Sequence, residues 1–282
     1  MIWIIPTLIA LFIAIFKEIT KKKILGRIEP IQFIILFYSS MFLFAQLTIS
    51  KVSIPSSFEF ILIVLASLCY CIANLFGLKA LKEMRISVFK PISGLSSVFV
   101  IFFAILFLNE RINLIQSLGI LLILIPISYL AVLEYHHKEI RKKNLFYLLL
   151  AILFEAGAII FDRIILRTLN IFTYFYFLKL SLIIMFIIIM FLFYNCRINL
   201  AFFKKKIAAI AALALITMTG TYFYFNALSN PFASVGIIKT ILSTSLVFTT
   251  VIGGTYFKEK HILIKAAATL LSLIGIIVLI FL

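Results

Sequence analysis

The chain has 282 residues, of which 65% are hydrophobic and 13% charged, with a mean hydropathy of +1.24. Soluble domains are about half apolar and a quarter charged, so a water-soluble fold is excluded and the solvent for most side chains is lipid. The net charge of +16 does not point to nucleic acid, because the basic residues stand in short runs between apolar stretches, such as Lys21-Lys22-Lys23, Arg141-Lys142-Lys143 and Lys204-Lys205-Lys206, which is how membrane proteins mark their topology.

A bilayer-crossing helix needs about 20 mostly apolar residues. In chain order the first such stretch is 2–17; its start, Met1-Ile2-Trp3, has no basic run and no small-residue cleavage site, so a retained helix is expected rather than a signal peptide. Spans at 31–49, 58–79, 86–108 and 113–133 follow. The third carries Tyr70, Asn74 and Gly77 at i, i+4 and i+7, one polar helical face that in lipid must look inward. The fourth holds Lys90, with Ser93 and Ser97 after it. The longest connection, Glu134 to Asn144, falls near mid-chain.

Five more spans follow, at 145–166, 171–194, 207–228, 231–257 and 262–281. The sixth carries Glu155 near its middle and Asp162-Arg163 nearer its end, and the seventh carries Lys179. Thr217, Thr221 and Tyr224 make a polar face on the eighth, and Lys239, Thr240 and Ser243 sit on the ninth. Cys69, Cys71 and Cys196 lie in or at the end of apolar segments without metal spacing to His, so they are expected to pack as small hydrophobes. No metal and no cofactor is expected.

The two groups of five spans are related. A shift of 147 lays Ala80-Leu81 on Ala227-Leu228 and Ser87-Val88 on Ser234-Val235; after a two-residue gap, a shift of 149 lays Lys90 on Lys239, Glu110 on Glu259 and Pro126 on Gly275. Lysine on lysine inside a membrane span carries more weight than apolar matches. Five spans per half is odd, so the second half enters the membrane the other way up. The expected fold is an all-α polytopic membrane protein, ten transmembrane helices as two inverted five-helix repeats: residues 1–134 and 145–282, joined by a basic loop at 135–144. Connections after the odd-numbered spans hold nineteen Lys and Arg, against four on the other side, which places the basic side in the cytoplasm and both termini outside.

Phe107-Leu108-Asn109-Glu110-Arg111-Ile112 and Gly253-Gly254-Thr255-Tyr256-Phe257-Lys258-Glu259-Lys260 place a Glu in a basic turn after the fourth helix of each half. With ten spans in two halves, this resembles the drug/metabolite transporter superfamily, most nearly its EamA-like branch, over nearly the whole chain. The resemblance implies a transporter in the cytoplasmic membrane of a bacterium. Members of this family are often described with cytoplasmic termini, and here the charge count says otherwise. Glu110 and Glu259 are expected to cap helix ends and pair with basic neighbours rather than to do chemistry.

Charges left inside the spans mark where a solute would pass, since each costs about 2.5–3.5 kcal/mol at a helix centre on insertion scales. Lys90 and Lys239 are the leading pair, one expected toward each membrane face, as a cationic lining for a carboxylate or phosphate or as lysines that pair with Glu155 and Asp162. Lys239-Thr240 also resembles a dipeptide of the nucleotide-sugar and triose-phosphate branches, where the Lys helps to bind an anionic substrate. Glu155 is similar in position to the membrane-embedded Glu of small multidrug-resistance proteins, which implies a proton-coupling role, although no acid stands near Ala10 in the first half. Substrate contacts are expected from Lys90, Lys239, Thr240, Ser243, Tyr70, Asn74 and Tyr224. Lys179 and Asp162-Arg163 are expected as structural ion pairs.

The function expected is a secondary transporter of a small polar metabolite, anionic or zwitterionic, with lipids and a coupling proton or counter-substrate as its other partners. The alternatives are a proton-coupled exporter of amphipathic cations centred on Glu155 and an integral membrane enzyme acting on lipid. Against the enzyme, His136, His137 and His261 lie in basic loops with no matching acid constellation.

Overall fold

A computed structural model describes residues 2–25, 29–84, 86–136, 141–193, 207–256 and 262–281. Among these there is no strand; the helices are α1 (Ile4–Leu25), α2 (Pro30–Gln46), α3 (Ser57–Glu83), α4 (Ile86–Gly94), α5 (Ser96–Leu108), α6 (Leu114–His136), α7 (Lys142–Ile165), α8 (Ile171–Phe193), α9 (Ile207–Ser229), α10 (Val235–Tyr256) and α11 (Ile262–Phe281). Four of them, α3, α7, α8 and α9, are long and apolar enough to cross a membrane by length and composition, and shorter apolar helical stretches lie on α1, α2, α4–α5, α6, α10 and α11. Large apolar side chains face outward all round the bundle, with Phe12, Phe102, Phe146, Phe191 and Ile277 all more than half exposed. In water that surface would drive aggregation; in a bilayer it is solvated. The protein is a polytopic helical membrane protein.

Each predicted span is helical over most of its described length, and the differences have local causes. Helix α1 continues to Leu25, past the lysines expected in a loop. Lysine is a good helix former, and a helix that keeps winding as it leaves the bilayer keeps its backbone paired. The fourth span, expected as one helix over 86–108, breaks between α4 and α5 at Leu95, where Leu95 N bonds Ile92 O at 3.1 Å and Val98 N bonds Leu95 O at 3.0 Å in tighter turns. Pro91, which lacks a backbone donor, and Gly94 stand just before the break. The helix of the ninth span, α10, starts at Val235, leaving Pro231 and Phe232 in a turn.

Local chemistry sets several ends. Ser56 and Glu59 form a reciprocal capping box on α3, with Ser56 N donating to Glu59 Oε2 at 2.8 Å and Glu59 N to Ser56 Oγ at 3.3 Å. Helix α2 begins on Pro30, whose fixed φ suits a first turn. Helix α5 ends on Asn109 in the left-handed region, φ 52°, a conformation Asn tolerates better than most residues.

Between helices in lipid there is little hydrophobic drive, so shape and polar satisfaction decide the packing. Helix α3 packs on α7, and α9 on α1; α3 meets α8, and α9 meets α2; α5 meets α7, and α10 meets α1; α4 meets α6, and α10 meets α11. Three further pairs, α2 with α8, α6 with α11, and α10 with α4 and α5, join the two halves directly. Hydroxyls within the helices turn back on their own backbone, as Ser67 does to Ile63 O at 2.7 Å and Ser272 to Ala268 O at 2.9 Å. A large core runs through α2, α3, α7, α8 and α9, and a smaller one joins Leu11, Ile123, Ile241 and Ile276.

Candidate functional site

A cavity of about 350 Å³ lies in the middle of the bundle, bounded by α1, α2, α3, α4, α7, α8, α9 and α10. Its charged lining residues are Lys17, Lys21, Lys90, Lys179, Lys239 and Glu155. Five cations against one anion, in a space walled by Phe37, Phe89 and Phe225, make a strongly positive chamber of low polarizability.

The polar faces read from helical spacing do meet here. Tyr70, Asn74 and Gly77 of α3 and Thr217, Thr221 and Tyr224 of α9 all line the cavity. Asn74 donates from its amide Nδ2 to Tyr70 O at 2.7 Å, and its side chain also hydrogen-bonds that of Tyr38. Tyr224 Oη and Thr217 Oγ1 are buried with no hydrogen-bond partner.

Lys90 and Lys239, expected toward opposite faces, line the same cavity. Lys239 Nζ is 2.8 Å from Glu155 Oε1. Lys90 is buried with its Nζ 5.3 Å from the ring centre of Phe89. Ser243 also lines the cavity, donating to Lys239 O at 2.9 Å and sharing a hydrogen bond with Ser97 of α5. Thr240 is displaced from the expected contact set. Fully buried outside the lining, it donates to Gly236 O at 2.7 Å, because one residue on from Lys239 is about 100° round the helix.

The expected ion pairs at Asp162-Arg163 and Lys179 are not what the structure holds. Asp162 is fully buried and accepts hydrogen bonds from Tyr70 Oη at 2.5 Å and from Tyr174 Oη. Arg163 donates to the backbone: to Leu228 O, to Asn230 O and Ala233 O at 2.8 Å each, and to Pro231 O at 3.2 Å. A planar fork of donors suits converging carbonyls, so the guanidinium holds the α9–α10 connection instead of an acid. Lys179 Nζ lies 4.9 Å from the Phe175 ring centre and 5.2 Å from that of Tyr38, over aromatic faces and toward the cavity.

Glu110 caps a helix, as expected, but in the other half: it accepts from Ser234 Oγ at 2.6 Å, Val235 N at 2.8 Å and Gly236 N at 3.4 Å, at the start of α10. Glu259 with Lys258 and Lys260, Cys196, His137 and His261, the Lys204-Lys205-Lys206 run, and part of the 135–144 loop lie outside the described residues. Among the described residues no group of His, Cys, Asp and Glu could hold a metal ion, and Cys69 and Cys71 are free thiols.

Lys17 and Lys21 were counted with the connecting loop, and they line the cavity because α1 runs on through them. The face Ala10, Ala14, Lys17 and Lys21, at i, i+4, i+7 and i+11, carried that signal in the sequence.

The family model of the EamA-like transporters matches residues 1–132. No curated protein matches the chain in sequence. A solved structure described only as the crystal structure of a protein superposes with a TM-score of 0.74 over 97% of this chain and 94% of that one, at 14% identity, which shows a shared fold.

Proposed function

We propose that this chain, whose first half belongs to the EamA-like transporter family of the drug/metabolite transporter superfamily, is a secondary transporter that moves a small anionic or zwitterionic metabolite by alternating access. The observation that carries the substrate class is the composition of the cavity lining, where Lys17, Lys21, Lys90, Lys179 and Lys239 stand with one acid, Glu155, and Asp162 is buried behind Tyr70. A cationic guest would meet like charge in a low-dielectric space, and an anionic one is drawn in.

Two inverted repeats, 1–134 and 145–282 with the loop 135–144 between them, supply the moving parts in this reading. Support comes from the helix pairing. Exchanging α1, α2, α3, α4–α5 and α6 with α7, α8, α9, α10 and α11 turns most helix pairings in the fold into another that is also present, or into themselves, with α6 on α10 the main exception. Such a packing lets one half rock against the other around a central site. Lys90, Lys239, Ser243, Tyr70, Asn74 and Tyr224 are the proposed contacts, with Glu155 as the coupling-proton position. The protein is an integral membrane protein, and the proposed location is a bacterial inner membrane with the basic loops cytoplasmic.

Uptake by purified protein in proteoliposomes tests the reading. Labelled succinate or phosphate esters are expected to accumulate and putrescine is not, with Lys239→Ala cutting uptake at least about tenfold. Accumulation of the diamine with exclusion of every anion would establish instead a carrier of cations.

A further inference from the structure

Within this positive cavity the cations are not equivalent. Lys239 already has its anion, since Glu155 Oε1 stands 2.8 Å from its Nζ. Lys179 has no anion within hydrogen-bond reach among the described residues: it is only 6% exposed, its Nζ rests between the rings of Phe175 and Tyr38, and Asp162, which attracts it through space, spends its oxygens on Tyr70 and Tyr174. Aromatic faces stabilise an ammonium without neutralising its charge or using its three donors.

Two more polar groups in the same cavity lack partners. Thr217, 9% exposed, has no partner for its Oγ1, and Tyr224 has none for its Oη. They stand two helical turns apart on one face of α9. An aromatic seam ties them to Lys179: Phe175 lies 6.3 Å from Phe225, whose ring is 5.7 Å from that of Tyr224. A buried hydroxyl without a partner costs roughly 1–3 kcal/mol, and a buried ammonium without an anion costs more. All three line one cavity, and their unused donors describe a site completed by a ligand.

We propose that Lys179, with the hydroxyls of Tyr224 and Thr217, is the primary anion subsite of the cavity, and that it takes a carboxylate or phosphate group of the solute while Lys239 stays neutralised by Glu155. The inference rests on the transport reading for its biological use, but the subsite is defined by binding alone. Lysine supplies a charge-assisted hydrogen bond to one anion oxygen, and the two hydroxyls donate to the others. Phe175 and Tyr38 hold the ammonium in place and keep water from it. In this arrangement Lys179 decides that the guest is an anion, and Lys239 keeps its ion pair with Glu155.

Binding to the purified full-length protein tests this, read by thermal shift and by calorimetry with succinate, glycerol 3-phosphate and inorganic phosphate as probes and putrescine as control. Wild type is expected to bind at least one anion and not the diamine. Lys179→Gln is expected to weaken that binding about tenfold or more, Lys179→Arg to keep most of it, and Tyr224→Phe and Thr217→Val each to weaken it about threefold to tenfold. The better of the carboxylate and phosphate probes identifies the group. Unchanged binding in both Lys179→Gln and Tyr224→Phe, or a loss confined to Lys239→Gln, would overturn the assignment, as would a wild type that binds none of the three anions. Binding that depends on Lys179 without any uptake into proteoliposomes would uphold the subsite and sink the transport reading.

Discussion

Glu155 and Lys239 illustrate how far a single residue can be read. Both stand out in the sequence because charge is rare in an apolar span, but their partnership joins α7 and α10 and has no local signal. Their side chains are 39% and 15% exposed to the cavity, so the pair is only half desolvated and its coupling should be small. A double-mutant cycle with Glu155→Gln and Lys239→Ala, read by unfolding in detergent, is expected to give a coupling of about 1 kcal/mol or less. In proteoliposomes Glu155→Gln is expected to abolish proton-driven accumulation while counterflow exchange continues. Accumulation at the wild-type rate would remove Glu155 from the coupling. Asp162 behaves differently because it is fully buried beneath Tyr70 and Tyr174. Asp162→Ala leaves two buried phenols unpaired and is expected to cost about 2–4 kcal/mol of stability, with Asp162→Asn losing less because its amide oxygen still accepts. Comparing the unfolding midpoints of the two variants checks the order. Tyr70 lies 92 residues from Asp162 in the chain, so no spacing rule could have linked them.

At the scale of helices, α6 and α11 come close enough at their crossing that backbone meets backbone. A Cβ on Gly275 would come within 2.9 Å of Gly119 O and 2.7 Å of Ile123 Cγ1, and one on Gly119 would meet Leu279 Cγ at 2.7 Å and Gly275 O at 3.2 Å. The two glycines let the backbones approach, which is how helices associate in lipid. Backbone cannot step aside as a leucine tip can, so Gly275→Ala is expected to cost about 1–3 kcal/mol and Gly119→Ala less, measured by thermal unfolding. Equal losses would count against the backbone clash as the cause. Other ties work across helix ends: Glu110 caps α10, and Arg163 gathers the carbonyls between α9 and α10. The capping role of Glu110 was legible from its place in a turn. Which helix it caps was not, because the recipient lies 124 residues or more away.

For the whole molecule, several of the described polar ties join connections after even-numbered spans, while Lys82 Nζ and Glu29 Oε1, 2.8 Å apart, make one at the other end. Ser53 N donates to Thr173 Oγ1 at 2.9 Å and Thr168 Oγ1 to Glu59 Oε1 at 2.9 Å, beside the Glu110 and Arg163 contacts, and all involve connections after even-numbered spans. The cavity instead runs toward Lys17, Lys21 and Leu81, the end with the basic connections. The cavity lining thus reaches toward the basic side, where a single opening is expected. In a background without native cysteines, Ala14→Cys in oriented vesicles is expected to react with an impermeant maleimide from the basic side and not from the opposite one. Equal labelling from both sides would contradict a single opening. A C-terminal reporter active only in the cytoplasm is expected to stay dark, in keeping with nineteen basic residues against four.

Composition and periodicity determined that this chain lives in lipid, where its helices run, which faces look inward and that the core is positive, because the bilayer penalises each charge and each unpaired backbone group within a single helix. Those are local costs, paid residue by residue, and sequence records them directly. Partnerships were decided only by the tertiary structure: Glu155 for Lys239, two tyrosines for Asp162, carbonyls for Arg163, and two aromatic rings for Lys179. A partnership depends on distances between helices far apart in the chain, and no helical period carries that information.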